Sequence, residues 1–245
     1  MNPPCYNIAT TATVGVKTQR RHMPETPFFA PELFEFLRQL KKRNNRDWFN
    51  KNKDRYEMHV RVPALQFIAA FAPRLHQISP HFSADPHPTR GSLFRIYRDT
   101  RFSADKKPYK THAGMSFNHA AGKHVHAPGF YLHLEPEGCF AAAGVWHPDS
   151  QALTKIRTAI VREPERWRAA TRKLELGGDT LTRPPKGFDP AHPFVEDLKR
   201  KDYITSVTFE DEQVCSPKFI RDFDAACRKM APLVEFTAAA LGMKY

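Results

Sequence analysis

The sequence of 245 residues predicts an α+β protein with a helical N-terminal third, a central, mainly antiparallel sheet and C-terminal helices. Three observations carry this. Apolar residues recur at helical spacing from about residue 31 to 78. Short β-rich runs punctuated by Gly, Pro and Asp crowd between about 92 and 147. Helical periodicity then returns without the β-α-β alternation of a parallel sheet.

The first helix opens at Pro31, a residue suited to a first helical turn, and Leu33, Phe34, Leu37 and Leu40 fall on one face. Asn44-Asn45 ends it. Asp47 is placed to cap a second helix through Tyr56, with Trp48, Phe49 and Tyr56 as its packing aromatics. After a break at Pro63 a third helix, "ALQFIAAFAPRLHQI", is apolar enough to be buried. The runs "SLFRIYR", "AGMSFNH", "GFYLHLEP" and "CFAAAGVW" read as antiparallel strands. Asp149 caps a helix carrying Leu153, Ile156 and Ile160, and Pro164 opens another carrying Trp167. A long Pro/Gly-rich connection, "GGDTLTRPPKGFDPAHP", precedes the strand "YITSVTF", and Ser216-Pro217 starts a last helix to about Leu241.

Composition narrows the partners. The 38 Lys+Arg against 26 Asp+Glu, a net +12, favour anionic small molecules or nucleic acid. Cys5, Cys139, Cys215 and Cys227 lie far apart with no C-x-x-C pair, as in a reducing cytoplasm, and Cys139 reads as a buried strand thiol. No apolar run approaches the ~18 residues of a membrane span. The first 22 residues lack acidic side chains and periodicity. They read as a disordered tail or a mis-assigned start, with Met23 the initiator, in preference to an organelle presequence; residues 23 to 245 then form a single domain.

The most informative stretch is "FRIYRDTRFSADKKPYKTH". Between Arg95 and Lys110 half of the sixteen residues are charged, six basic and two acidic, with apolar residues running through them. If the segment starts as a strand, Phe94 and Ile96 face one side and Arg95, Tyr97, Asp99 and Arg101 the other. Asp99, between Arg98 and Arg101, is placed to hold a guanidinium through both carboxylate oxygens. Lys106, Lys107 and Lys110 surround Pro108-Tyr109 and add point charges and a phenol. The predicted anion site is therefore Arg95, Tyr97, Arg98, Arg101, Lys106, Tyr109, Lys110 and the following His112. The competing reading is an internal salt-bridge network of Asp99, Arg95 and Arg101.

For acid-base work the candidates near this cluster are Asp99, His133 and Glu135. His124 and His126, and likewise His133 and Glu135, share strand faces in extended backbone. No H-E-x-x-H, facial triad or Cys/His quartet appears, so no metal is assigned. A P-loop, a G-x-G-x-x-G and a G-x-S-x-G elbow are also missing, and no cofactor is assigned.

The long motif resembles the conserved-hypothetical family called domain of unknown function 2461. So do "NNRDWFNKNKDRY", "GFYLHLEPEGCFAAAGVWHP" and "RPPKGFDPAHP" followed by "LKRKDY". The resemblance runs from about Phe28 to Met243. It implies one α+β unit that leaves out the first 22 residues, and it carries over no activity, cofactor or catalytic residue. Members often have a run of glycines where this chain has Ala141-Ala142-Ala143-Gly144, which argues against a ligand approaching bare backbone there. Three functions stay open: a binding module for a phosphate- or carboxylate-bearing ligand, an enzyme acting on a phosphorylated or nucleic-acid substrate, and a protein-interaction scaffold with its charges paired internally. Were the basic run Lys199 to Lys201 to lie beside Arg95, a polyanion would be favoured.

Overall fold

A computed structural model of the protein describes residues 26–121 and 127–245. The expectations for the first 22 residues and for His124 and His126 lie outside them. Helix α1 (Pro31–Lys42) has proline in its first turn and buries Leu33, Phe34, Phe36, Leu37 and Leu40 on one face. Helix α2 (Arg46–Lys51) is capped by Asn45, not by the expected Asp47. The Asn45 side chain accepts the Trp48 N–H at 2.9 Å, and its backbone is extended, as a capping residue requires. Helix α3 (Lys53–Tyr56) runs through a π-helical turn (Glu57–Arg61) into α4 (Val62–Ile78). Pro63 is therefore not a break. It stands in the first turn of α4, and the turn before it widens to π spacing, which accommodates a residue without an N–H.

Strands β1 (Ala113–Asn118), β2 (Gly129–Leu134), β3 (Cys139–Val145), β4 (Leu176–Gly177) and β5 (Tyr203–Phe209) form one sheet in the order β1-β2-β3-β5-β4, with every pairing antiparallel. Between β3 and β4 lie α5 (Ser150–Arg162), capped by Asp149 as expected, and α6 (Pro164–Thr171). A short helix α7 (Val195–Leu198) precedes β5. Another, α8 (Asp211–Val214), precedes the long α9 (Phe219–Ala240).

The expected strand at 92–98 is corrected. The segment runs antiparallel beside 108–116 but makes only isolated bridges, Leu93 with Met115 and Tyr97 with Tyr109. Phe94 lies over Tyr131 while Ile96 is buried, so the two do not share one buried face and the period-two reading fails there.

The sheet has two unlike faces. Phe130, Leu132 and Leu134 of β2, with Met115 and Phe117 of β1, are buried on the side covered by α4 and α9. There Phe71, Phe117 and Phe223 meet at centroid distances of 4.8–5.7 Å. The alternate residues Tyr131, His133, Phe140 and Ala142 are only half-buried, on the opposite face. A second core forms around Trp167, packed on Tyr203 and Phe236, with its indole N–H donating to Asp197 at 2.8 Å.

Gly144 sits where β3 and β5 approach closely: its φ is +121°, and a Cβ there would run into the carbonyl oxygen of Tyr203. The residue is needed for packing between strands. Gly144→Ala should therefore destabilise the protein by more than about 1 kcal/mol, read as a drop in the denaturation midpoint. An unchanged midpoint would mean that the strands part without penalty. No helix among the described residues is long and apolar enough to cross a membrane.

Candidate functional site

The structure divides the predicted site residues into two groups on either side of the 93–112 segment. The first surrounds a cleft between α2 and the loop. Phe49, buried on α2, stacks on Tyr109 at 4.1 Å, and Tyr109 meets Tyr97 at 5.5 Å. Asn44 holds the same turn from the other side: its Nδ2 donates to the Tyr109 carbonyl at 2.9 Å, and its Oδ1 accepts the Tyr109 N–H at 3.0 Å. One side chain thus satisfies both backbone groups, as a neighbouring strand would. These contacts leave a cleft of about 320 Å³ whose lining includes Arg46, Tyr97, Arg98 and Tyr109. Arg46 also borders an adjoining depression with Lys106 and Lys107.

The charges in the loop are partly paired. Asp99 grips Arg101 through both oxygens, at 3.0 Å to Nε and 2.7 Å to Nη2, as the sequence predicts. Both side chains are exposed, 46% and 77%, so the pair is local and no buried network forms. The Arg101 side chain, helped by the Arg101 N–H, holds the Asp99 carboxyl below its ordinary range. Asp99 takes no part in the His133 and Glu135 cluster. Arg98 pairs with Asp105 at 2.8 Å and also donates to the Lys107 carbonyl, both through Nη1, so Nε and Nη2 remain as donors. Lys106 donates to the Thr100 carbonyl, and Lys110 donates to the Arg95 carbonyl with its ammonium over Phe94. Burial, then the charge of Arg95, pushes the Lys110 pKa down.

The second group lies on the half-buried face of the sheet. His112, just ahead of β1, packs its ring against His133 at 4.2 Å, and His133 stacks on Phe140 at 4.7 Å. Tyr131, His133 and Glu135 form a line along β2. The Tyr131 hydroxyl is 3.0 Å from His133 Nδ1, and His133 Nε2 is 3.4 Å from Glu135 Oε2. The other carboxylate oxygen of Glu135 accepts from Thr111 at 3.2 Å and from Lys41 of α1 at 3.3 Å. Gly114 makes room for this arrangement, since a Cβ there would sit 2.5 Å from the Tyr131 hydroxyl. Burial and the neighbouring His133 push His112 down to about 4. Burial likewise lowers His133 against the pull of Glu135. With both groups lowered the imidazoles are neutral at pH 7, and the 3.4 Å approach of His133 Nε2 to Glu135 Oε2 is not an ion pair. Burial pushes Glu135 up, but His133, Lys41 and Thr111 together outweigh it and hold the group low. Burial raises the Tyr131 phenol to about 12, so it acts here as a hydrogen-bond partner and not as an acid.

Two contributors were not among the predicted site residues. Tyr131 was legible in principle, because it stands two residues before His133 on the same strand face. Arg46 carries no local signal that sets it apart from the other bases of its helix, and its cleft exists only once α2 meets the loop. The condition that would have favoured a polyanion, Lys199 to Lys201 beside Arg95, is not met. Tyr203, which follows that run, pairs with Val145 at one end of β3, whereas His112 and Glu135 lie near the other, Cys139 end. Lys199 and Arg200 instead pair with Glu196 and Asp197. Cys139 is a buried thiol raised to about 12 by its burial, consistent with an inert strand residue.

No curated protein matches the chain. A family model described as "conserved hypothetical protein" matches residues 32–236, a span holding both groups of side chains and nearly all of the elements above, and the chain belongs to this family, DUF2461.

Proposed function

We propose that the protein binds a small phosphate- or carboxylate-bearing ligand in the cleft between α2 and the 95–110 loop. Arg46 and Arg98 supply the cations and Tyr97 a hydroxyl donor. The observation that carries this reading is that two arginines from separate segments, Arg46 and Arg98, line one cleft. Arg46 has no carboxylate partner among the described residues, and Arg98 reaches Asp105 through one nitrogen only. Guanidinium donors left over beside a cleft match the oxygens of an anion. Of the nearby carboxylates, Asp99 and Asp105 already serve Arg101 and Arg98, and Asp47 borders the adjoining depression but not the cleft, so positive charge predominates in the cleft itself. The separation from Lys199 to Lys201 supports a compact anion over a long polyanion, because a polyanion gains affinity from an extended basic track.

The test is thermal melting of the protein at low salt with sulfate, phosphate, mononucleotides and a short oligonucleotide. A native-state ligand raises the midpoint in a saturable way, and added salt should erode the effect. Arg46→Met and Arg98→Met, which keep much of the apolar stem, should each weaken binding roughly ten- to a hundredfold. Arg101→Met should leave both binding and the melting midpoint unchanged, because its pair with Asp99 is exposed and outside the cleft. A flat response to all four anions would overturn the proposal. Equal weakening by all three variants would reduce it to a general charge effect.

A further inference from the structure

We propose that His112, His133 and Glu135 bind one divalent first-row transition-metal ion of the zinc class, in a site separate from the anion cleft. One nitrogen of each imidazole and one oxygen of the carboxylate lie within 4.8 Å of one another. Neutral imidazole and carboxylate are the donor types that such ions take, and two nitrogens with one oxygen favour them over Mg²⁺ or Ca²⁺, which prefer all-oxygen shells.

The hydrogen bonding around the three side chains argues for more than proximity. His133 Nε2 and Glu135 Oε2 stand 3.4 Å apart, long for an N–H···O bond. That separation is close to the edge of a tetrahedron whose ligand bonds are about 2.0–2.1 Å, roughly 3.4 Å. The two atoms that would ligate are also the two left facing each other. His133 Nδ1 is taken by the Tyr131 hydroxyl at 3.0 Å, and Glu135 Oε1 is taken by Thr111 and Lys41. This is the second shell that orients metal ligands: with Nε2 on the ion, Nδ1–H donates to the Tyr131 oxygen and fixes the ring. Phe140, stacked on His133 at 4.7 Å, holds the ring plane from the other side. His112, just ahead of β1, has its ring already 4.2 Å from His133, and one of its nitrogens lies within 4.8 Å of the other two ligand atoms.

Two features work against the ion. Lys41 places a positive charge 3.3 Å from Glu135, and Lys110 is felt electrostatically at His112. The Lys41 side chain is 65% exposed, so it can swing into water when a dication takes the carboxylate. Three protein donors leave at least one coordination position open. That is the pattern of sites that hold water or a substrate oxygen, unlike the closed four-ligand shell of structural zinc. The inference does not depend on the anion cleft, whose residues are different.

Chelator-treated, tag-free full chain is titrated with Co²⁺ and followed by visible absorption, with Zn²⁺ as competitor and Mg²⁺ and Ca²⁺ as controls. One equivalent of Co²⁺ should bind with the d–d bands of a low-coordinate site, Zn²⁺ should displace it, and the two oxygen-seeking ions should not. His112→Gln and Glu135→Gln, checked for folding by circular dichroism, should abolish the bands. Tyr131→Phe, which keeps the packing and removes only the hydroxyl, should weaken binding about ten- to a hundredfold. Side-chain NMR of the parent needs no variant: Zn²⁺ should shift together the two imidazoles that face each other. Absence of saturable binding, bands that survive His112→Gln and Glu135→Gln, or shifts confined to other histidines would overturn the proposal.

Discussion

Phe49→Ala should lower stability by about 3–5 kcal/mol, the usual range for deleting a buried aromatic side chain, and should weaken anion binding with it. Phe49 is 2% exposed and joins two parts of the molecule. On the helical side it meets Phe36 at 6.5 Å and Tyr56 at 5.4 Å; on the loop side it stacks on Tyr109 at 4.1 Å and reaches Tyr97 at 6.4 Å. Removing the ring leaves a cavity between α2 and the loop, so the wall of the cleft that holds Arg46 loses its support against the wall that holds Tyr97 and Arg98. Phe49→Leu, closer in volume, should recover most of the stability but less of the binding, because a branched aliphatic chain cannot stack on Tyr109. Chemical denaturation followed by fluorescence or circular dichroism gives the first quantity, and the anion-dependent melting shift gives the second. A Phe49→Ala protein within about 1 kcal/mol of the parent would show that the loop is not held from this side.

Asn44→Ala should cost about 1–3 kcal/mol, with a disproportionate effect on the cleft. The side chain satisfies both the N–H and the carbonyl of Tyr109, 65 residues away in sequence. Truncation strands both groups of a residue that is only 3% exposed, in a segment where bridges are isolated and other backbone pairing is sparse. Asn44→Asp should be intermediate, since it keeps an acceptor for the Tyr109 N–H but loses the donor to the carbonyl. Hydrogen exchange of the amides from 95 to 111 is the discriminating measurement. Faster exchange confined to that stretch in Asn44→Ala would establish the anchoring role, and unaltered exchange would refute it.

Local chemistry decided much of what was legible in the sequence. Apolar spacing of 3.6 located α1, the overall apolarity of "ALQFIAAFAPRLHQI" marked α4 as buried, and alternation in "GFYLHLEP" put His133 and Glu135 on one strand face. The Asp99–Arg101 pair was also readable, because groups only two residues apart can meet whatever the rest of the molecule does. The α+β class followed from the same local periods, and the motifs pointed to the family that the match over residues 32–236 establishes.

Tertiary structure decided the rest. A period of two could not reveal that 92–98 would pair only through isolated bridges, since that depends on where Phe94 finds a partner, and the partner is Tyr131 on β2. Nor could it show that Asn44, read as a helix terminator, would reach the backbone of Tyr109. The charged and aromatic residues among the sixteen from Arg95 to Lys110 looked like one site because they are adjacent in the chain. In the fold they part: Tyr97 and Arg98 turn toward Arg46 of α2, and Arg101 turns into solvent with Asp99. His112, just beyond the stretch, joins His133 and Glu135 across the β1–β2 pairing. Spacing along a chain determines which groups can share a face, but only strand register and helix docking determine which groups share a volume.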